Sequence, residues 1–308
     1  MEIAQDIVII IFSILVIAKG SIWLVDSAAK IARRLGVSDL VIGLTIVAMG
    51  TSAPEFGVTI LAAIRDFSNI SVSNIVGSNI FNLGFILGGT AMVQGLRTSK
   101  KVVFRDGAFL LGGALLVTLF LWNLTLGRVE GIILFSLLVF YLGYLYFKRE
   151  APRLDEVGQR IDGMHWSAPL LLLAGIAMVL GGSVFMVEAA ISLARIMGVS
   201  EWVIGATIVA AGTSAPEFAT SISAVLRGHH GISVGNLIGS DIFNVFGVLG
   251  LAAMIRNLTV DPIAHSSLLM LVGMVVLVLI FMRSGWEVSR REGMVLVILG
   301  LARWIYSY

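Results

Sequence analysis

The chain has 308 residues, of which 58% are hydrophobic and only 13% are Asp, Glu, Lys or Arg, about half the charged share of roughly 25% found in soluble domains. A net charge of +2 and a mean hydropathy of +0.99 argue against a soluble enzyme, a disordered chain and a nucleic-acid module. With no cysteine there are no disulfides and no thiolate metal sites. The composition is that of an integral membrane protein.

A bilayer core of about 30 Å needs roughly 20 apolar residues per helix. Ten such runs are predicted in chain order, at residues 6–29, 39–64, 70–95, 104–122, 129–147, 168–194, 201–226, 232–255, 264–282 and 292–307. The fold class expected is therefore an all-α membrane protein. The first run follows acidic Glu2 and Asp6 and continues past Ala18 without a cleavage site, so it reads as a span and not as a cleavable signal peptide. The single long connection, 148–166, divides residues 1–147 from 167–308.

Lys and Arg set the expected orientation. Fifteen of them (Lys30, Arg33, Arg34, Arg97, Lys100, Lys101, Arg105, Lys148, Arg149, Arg153, Arg160, Arg227, Arg283, Arg290 and Arg291) follow odd-numbered spans, against five on the other side. That split predicts a multi-pass protein of the cell membrane with both termini outside and the 148–166 linker in the cytoplasm. Lys19 lies inside span 1, where it can snorkel.

The two halves repeat at an offset of 162. Residues 36–56 match 198–218 at 17 of 21 positions, and 70–88 match 232–250 at 11 of 19, with no gap between the blocks. Five spans per half is an odd number, so the second copy enters the bilayer upside down. Two inverted five-helix repeats, with a core repeat at about 36–88 and 198–250, are the architecture of secondary transporters, whose site lies near the midplane between repeats. Gly43, Ala48, Gly50, Gly77 and Gly84 suit close helix packing, but the strongest identity falls on the most polar stretches of the spans.

Those stretches carry the chemistry. Pro54 lacks an N–H and crowds the carbonyl of Gly50, so carbonyls from Ala48 to Gly50 are predicted to turn away from the helix. Thr51 and Glu55, four residues apart, are predicted to share a face beside them. Ala210, Thr213, Ser214, Pro216 and Glu217 repeat the arrangement. A carboxylate at the bilayer centre costs roughly 2.5–3.5 kcal/mol on insertion scales, and two of them together require a cation or a proton. Asn74, Ser78 and Asn82 form a polar stripe mirrored by Asn236, Ser240 and Asn244, and Gly77-Ser78 and Gly239-Ser240 are predicted to bend their helices or expose their backbone. The His residues (165, 229, 230 and 265) fall in loops or at span ends. Oxygen ligands alone select hard cations, Ca²⁺ above all, or several Na⁺.

Two copies of G-T-S-A-P-E, each followed about twenty residues later by G-S-[ND]-I-F-N, resemble the alpha-repeats of the cation/calcium antiporter superfamily. Within it the chain resembles the prokaryotic sodium/calcium exchangers along its whole length. The resemblance implies four neighbouring ion sites. Glu55 and Glu217 would be shared ligands. Thr51, Ser52, Thr213 and Ser214 would supply hydroxyls, and Ala48 and Ala210 carbonyls. Ser78 and Ser240 would flank them, with Asn82 and Asn244 near the middle. It also implies exchange of three Na⁺ for one Ca²⁺ by alternating access, with spans 1 and 6 sliding past the core; the ions are cargo, and no cofactor is implied. Two departures stand out. Some prokaryotic members carry Asp where Asn244 stands here, and Asp241 takes the position of Asn79 in the first half. Asp241 is open to three settings: the site, a protonation path or a neighbouring helix.

A Ca²⁺/H⁺ antiporter on the same fold is the nearest rival reading. A passive cation channel would need a pore or filter loop that the sequence does not display. A hydrolase built on Ser52 or Ser214 would lack a His or Lys base.

Overall fold

The structure, a computed structural model, describes residues 2–148, 167–198 and 210–306. The segments 149–166 and 199–209, and with them most of the linker and the start of the seventh expected span, lie outside the described residues.

Helix α1 spans Glu2–Leu35. It is followed by α2 (Asp39–Thr51) and α3 (Ala53–Ile64), which meet at a 51° bend, and by α4 (Ser68–Val93). After strand β1 (Leu96–Arg97) come α5 (Val102–Asn123), strand β2 (Thr125–Leu126) and α6 (Arg128–Lys148). The second half supplies α7 (Ala168–Ile196), the short α8 (Ala210–Thr213), α9 (Ala215–Leu226) and α10 (His230–Ile255). Strand β3 (Leu258–Thr259), α11 (Ala264–Arg283), β4 (Glu287–Val288) and α12 (Arg290–Tyr306) complete the chain.

Among the described residues, seven helices are long and apolar enough to cross a membrane, and the bent α2–α3 pair makes an eighth. The other two expected spans differ for separate reasons. Residues 201–209 precede α8 and are not described, and α12 has only 17 residues. The outer surface is apolar, with Phe12, Leu119 and Phe147 exposed, while Ser, Thr, Asn, Asp and Glu side chains are buried. This inversion of the soluble pattern suits a lipid solvent.

The strands are a small correction to an all-α expectation. β1 pairs with β4 (Leu96 opposite Val288) and β2 with β3 (Leu126 opposite Leu258), both antiparallel. The 162-residue offset exchanges one ribbon for the other, since 96 becomes 258 and 126 becomes 288. Each ribbon therefore ties one half of the chain to the other at an end of the molecule. Two close helix contacts are exchanged in the same way. A Cβ on Gly88 of α4 would lie 2.7 Å from the Gly293 oxygen of α12, and one on Gly131 of α6 would lie 2.7 Å from the Gly250 oxygen of α10. Only glycine permits backbones to approach this closely.

The main apolar core joins α4, α5, α6, α10 and α11, with Ile75, Leu110, Leu138, Phe246 and Val275 among its members. A second core holds Leu24, Val25 and Ala28 of α1 against Ile42, Leu172, Ala224 and Ile232. α4 and α10 pass through the middle, and their buried polar faces meet the breaks between α2 and α3 and between α8 and α9.

Candidate ion-binding site

The two helix breaks have one local cause. Ser52 (φ −79°, ψ 11°) and Ser214 (φ −91°, ψ 7°) sit between the helix pairs, and Pro54 and Pro216 occupy the first turn of α3 and α9. Proline is tolerated there because the first-turn N–H groups have no partner within the helix. Glu55 and Glu217 follow in those same first turns, where the positive end of the helix dipole favours a carboxylate.

The sequence S-A-P-E has the spacing of a capping box, in which serine and glutamate cap their own helix. Neither serine does so. Instead the hydroxyls cross over: Ser52 Oγ donates to Glu217 Oε1 at 3.0 Å, and Ser214 Oγ donates to Glu55 Oε1 at 3.1 Å. The Thr213 hydroxyl also faces the Glu55 carboxyl, and Thr51 and Ser240 face that of Glu217. Both glutamates are 0% exposed.

The polar stripes of α4 and α10 close around them. Asn74 Nδ2 donates to Thr59 Oγ1 at 2.9 Å, and Asn236 Nδ2 donates to Ser221 Oγ at 3.0 Å. These two asparagines thus brace α4 against α3 and α10 against α9. Asn82 Nδ2 donates to Asp241 Oδ1 at 3.0 Å, and Asn244 Nδ2 donates to Asn79 Oδ1 at 3.1 Å. Those last two bonds are also exchanged by the 162 offset, as 79 becomes 241 and 82 becomes 244. Asp241 thus contacts α4 at the centre of the molecule and also lies near Glu217.

Five buried oxygens are left over. Glu55 Oε2, Glu217 Oε2, Asp241 Oδ2, Asn82 Oδ1 and Asn244 Oδ1 have no hydrogen-bond partner. A buried unsatisfied polar atom costs about 1–3 kcal/mol, more when charged. Among the described residues no Lys, Arg or His pairs with Glu55, Glu217 or Asp241. Nor does any group of three or more His, Cys, Asp and Glu side chains stand ready as a metal cluster among them. What is assembled is an oxygen-only shell with two central carboxylates, a third nearby, and neutral amides and hydroxyls around them. Its unmet need is for positive charge.

Several expectations change in detail. The break at Ser52 separates Thr51 from Glu55, and the Thr51 hydroxyl donates to Asn236 Oδ1 at 3.0 Å. The Ala48 carbonyl keeps its helical bond, accepting the Ser52 N–H at 3.0 Å, and also faces the Thr51 and Ser240 hydroxyls at 3.3 and 3.4 Å. Ala210 opens α8, and the residues before it are not described. The Gly77-Ser78 and Gly239-Ser240 pairs lie within unbroken helix. The irregularity comes later, as π-turns at Asn82–Ile86 and Phe243–Val248. Ser78 is buried on α4 with no hydrogen bond to the other site side chains. Lys19 is exposed on α1, with Nζ 5.6 Å from the Trp23 ring.

Three features escaped the sequence reading: Asn79, the bracing residues Thr59 and Ser221, and a buried pair between His229 Nδ1 and Asp39 Oδ2 at 2.6 Å. Asn79 had a usable signal, since it lies three residues before Asn82 and holds the position of Asp241.

The profile of the "Sodium/calcium exchanger protein" family matches residues 6–147 and 167–302. The chain belongs to the sodium/calcium exchanger family. It is 34% identical to the sodium/calcium exchanger MaX1 of Methanosarcina acetivorans, over 97% of each chain. It is 33% identical to the inner membrane protein YrbG of Escherichia coli, over 90% of this chain and 89% of that one. Among solved structures, the sodium-calcium exchanger NCX_Mj soaked with zero Na⁺ and Ca²⁺ superposes with a TM-score of 0.87 at 26% identity, covering 99% of this chain and all of the other. Family, helices and fold agree on a multi-pass membrane exchanger of cations including Ca²⁺, a transporter.

Proposed function

We propose that the protein is a secondary antiporter that exchanges Na⁺ for Ca²⁺ by alternating access, on ten spans arranged as two inverted five-helix repeats joined by a cytoplasmic linker. The observation that carries this reading is the set of unpartnered buried oxygens on Glu55, Glu217, Asp241, Asn82 and Asn244. Ca²⁺ takes six to eight oxygen ligands in a flexible cage, and its two charges match two carboxylates. Glu55 and Glu217 are the central ligands. Thr51, Ser52, Thr213, Ser214, Ser78 and Ser240 contribute hydroxyls, and the Ala48 and Ala210 carbonyls stand beside them. The serine hydroxyls hold Oε1 of each carboxylate from the opposite repeat and leave Oε2 for the ion. The same oxygens serve Na⁺, so the two cargoes compete for one neutralising position, which is what exchange requires. The names of MaX1 and NCX_Mj support Na⁺ as the coupled ion.

Proteoliposomes loaded with Na⁺ are expected to take up ⁴⁵Ca²⁺, and Glu55→Gln or Glu217→Gln to abolish uptake. Robust uptake in both variants would refute the assignment.

A second reading, Ca²⁺/H⁺ exchange, is favoured by one feature only: Asp241 is a third buried carboxylate with an unpartnered oxygen. A pH gradient that drives Ca²⁺ uptake with no Na⁺ on either side would select it.

A further inference from the structure

The internal repeat extends beyond the motif blocks into α1 and α7. At the same offset Gly20 becomes Gly182, Ser21 becomes Ser183, Ala32 becomes Ala194 and Arg33 becomes Arg195. Two charged positions are preserved as well. Asp26 of α1 becomes Glu188 of α7, and Arg65 at the end of α3 becomes Arg227 at the end of α9. An acid on the α1–α7 pair and an arginine on the core therefore occur twice, once at each end of the molecule.

In the structure only one couple is engaged. Arg227 Nε donates to Asp26 Oδ1 and Nη2 to Asp26 Oδ2, both at 2.6 Å. Glu188 and Arg65 are both exposed, and among the described residues neither has an ion-pair partner. Packing follows the same asymmetry. α1 lies closely along α9, whereas the equivalent contact of α7 with α3 is nearly absent. At the engaged end α10 is pressed onto α2: a Cβ on Gly235 would lie 2.6 Å from the Leu40 oxygen. The equivalent of Gly235 is Ser73 of α4, which is exposed. One end is sealed by these contacts; at the other, Ser73, Glu188 and Arg65 are exposed and, among the described residues, the second ion pair is not formed.

The α1–α7 pair packs as a unit. The two helices pack on each other along their length through Gly20, Gly175 and Gly182, and α1 meets the core mainly at the sealed end. We infer that Asp26–Arg227 and Glu188–Arg65 are alternating ion-pair clasps: each holds the α1–α7 pair against one end of the core, and closing one releases the other. This rests on the alternating-access reading above. Because the clasps are equivalent, neither state is locked, and the partly exposed pair that is made contributes a bias of only a few-fold.

The chain has no cysteine, so exposed Ser73, replaced as Ser73→Cys, is a clean reporter of the end that carries Arg65. The full chain in lipid nanodiscs exposes both faces to a water-soluble thiol reagent. Arg227→Gln is expected to slow Ser73→Cys labelling about threefold, the weight of one partly exposed ion pair. Adding Arg65→Gln is expected to restore the parental rate, and so is the charge exchange Asp26→Arg with Arg227→Asp. An unchanged rate in Arg227→Gln would overturn the clasp. So would a slowed rate that persists in either compensated variant, since that marks mere local damage. Na⁺-driven ⁴⁵Ca²⁺ uptake by the reporter protein, measured in parallel, separates the two claims: its absence sinks the coupling to Na⁺, and the labelling pattern alone decides the clasp.

Discussion

Replacing Glu217 with glutamine is expected to move stability in opposite directions with and without Ca²⁺. In the empty protein Glu217 Oε2 is buried and unpartnered, and the Glu55 carboxyl close by carries the same defect. Glutamine removes one of two like charges and sets an amide donor beside the remaining carboxylate, recovering about 1–3 kcal/mol. For a chain of this size that is roughly 2–6 °C in apparent Tm, at about 2 °C per kcal/mol. The parent gains from the ion instead: Ca²⁺ at a hundred times its Kd adds about 2.7 kcal/mol, or roughly 5 °C. Thermal unfolding in detergent at pH 8.5, in chelator and in Ca²⁺, should therefore show Glu217→Gln above the parent without Ca²⁺ and insensitive to it, while the parent rises. The reasoning fails if the variant is less stable than the parent in chelator, or if Ca²⁺ raises both equally.

Other outcomes follow from the same geometry. Ser52→Ala and Ser214→Ala should weaken Ca²⁺ binding by similar factors, roughly tenfold each for one lost charge-assisted hydrogen bond; titration calorimetry on both checks this, and a large inequality would contradict the crossed pairing. Gly131→Val should destabilise by about 1–3 kcal/mol or more through overpacking against Gly250, read as a lower Tm, with the mirror change Gly293→Val costing a similar amount. A single cysteine placed in the 148–166 linker of the cysteine-free chain should react with an impermeant thiol reagent only from the cytoplasmic side, and labelling from outside would reverse the proposed orientation.

The parts of the fold that sequence disclosed are those governed by strong local rules. Pro54 and Pro216 lack an N–H, so a disturbance of the helix beside Glu55 and Glu217 was legible, though not its form as a break. Long apolar runs mark α1, α4 to α7, α10 and α11, because a helix in lipid must satisfy its own backbone. The 162 offset was visible as identity, and it reappears in hydrogen bonds that no sequence comparison contains, such as Asn82 to Asp241 and Asn244 to Asn79.

What escaped depends on which surfaces meet. S-A-P-E reads locally as a self-capping turn, and only the approach of the second repeat turns each serine toward the opposite glutamate. Gly239 looks like a hinge in sequence, but it serves close packing: a Cβ there would lie 2.7 Å from Leu44 Cα. The π-turns at Asn82–Ile86 and Phe243–Val248 carry no residue signature, although such turns are frequent at functional sites. They aim the asparagine amides across the interface between repeats, a direction that a regular four-residue stripe does not foresee. Asn79 was missed for the same reason, since it lies on the face of α4 turned toward α10 and not on the stripe itself.

The central claim is that a cation neutralises Glu55 and Glu217 where they meet. An experimental structure of the protein soaked in Ca²⁺, and then in high Na⁺ without Ca²⁺, tests it most directly. The account predicts a density peak about 2.3–2.6 Å from Glu55 Oε2 and Glu217 Oε2 in Ca²⁺, replaced by weaker density in Na⁺. Carboxylates that turn apart, or that keep the same empty arrangement in saturating Ca²⁺, would contradict it.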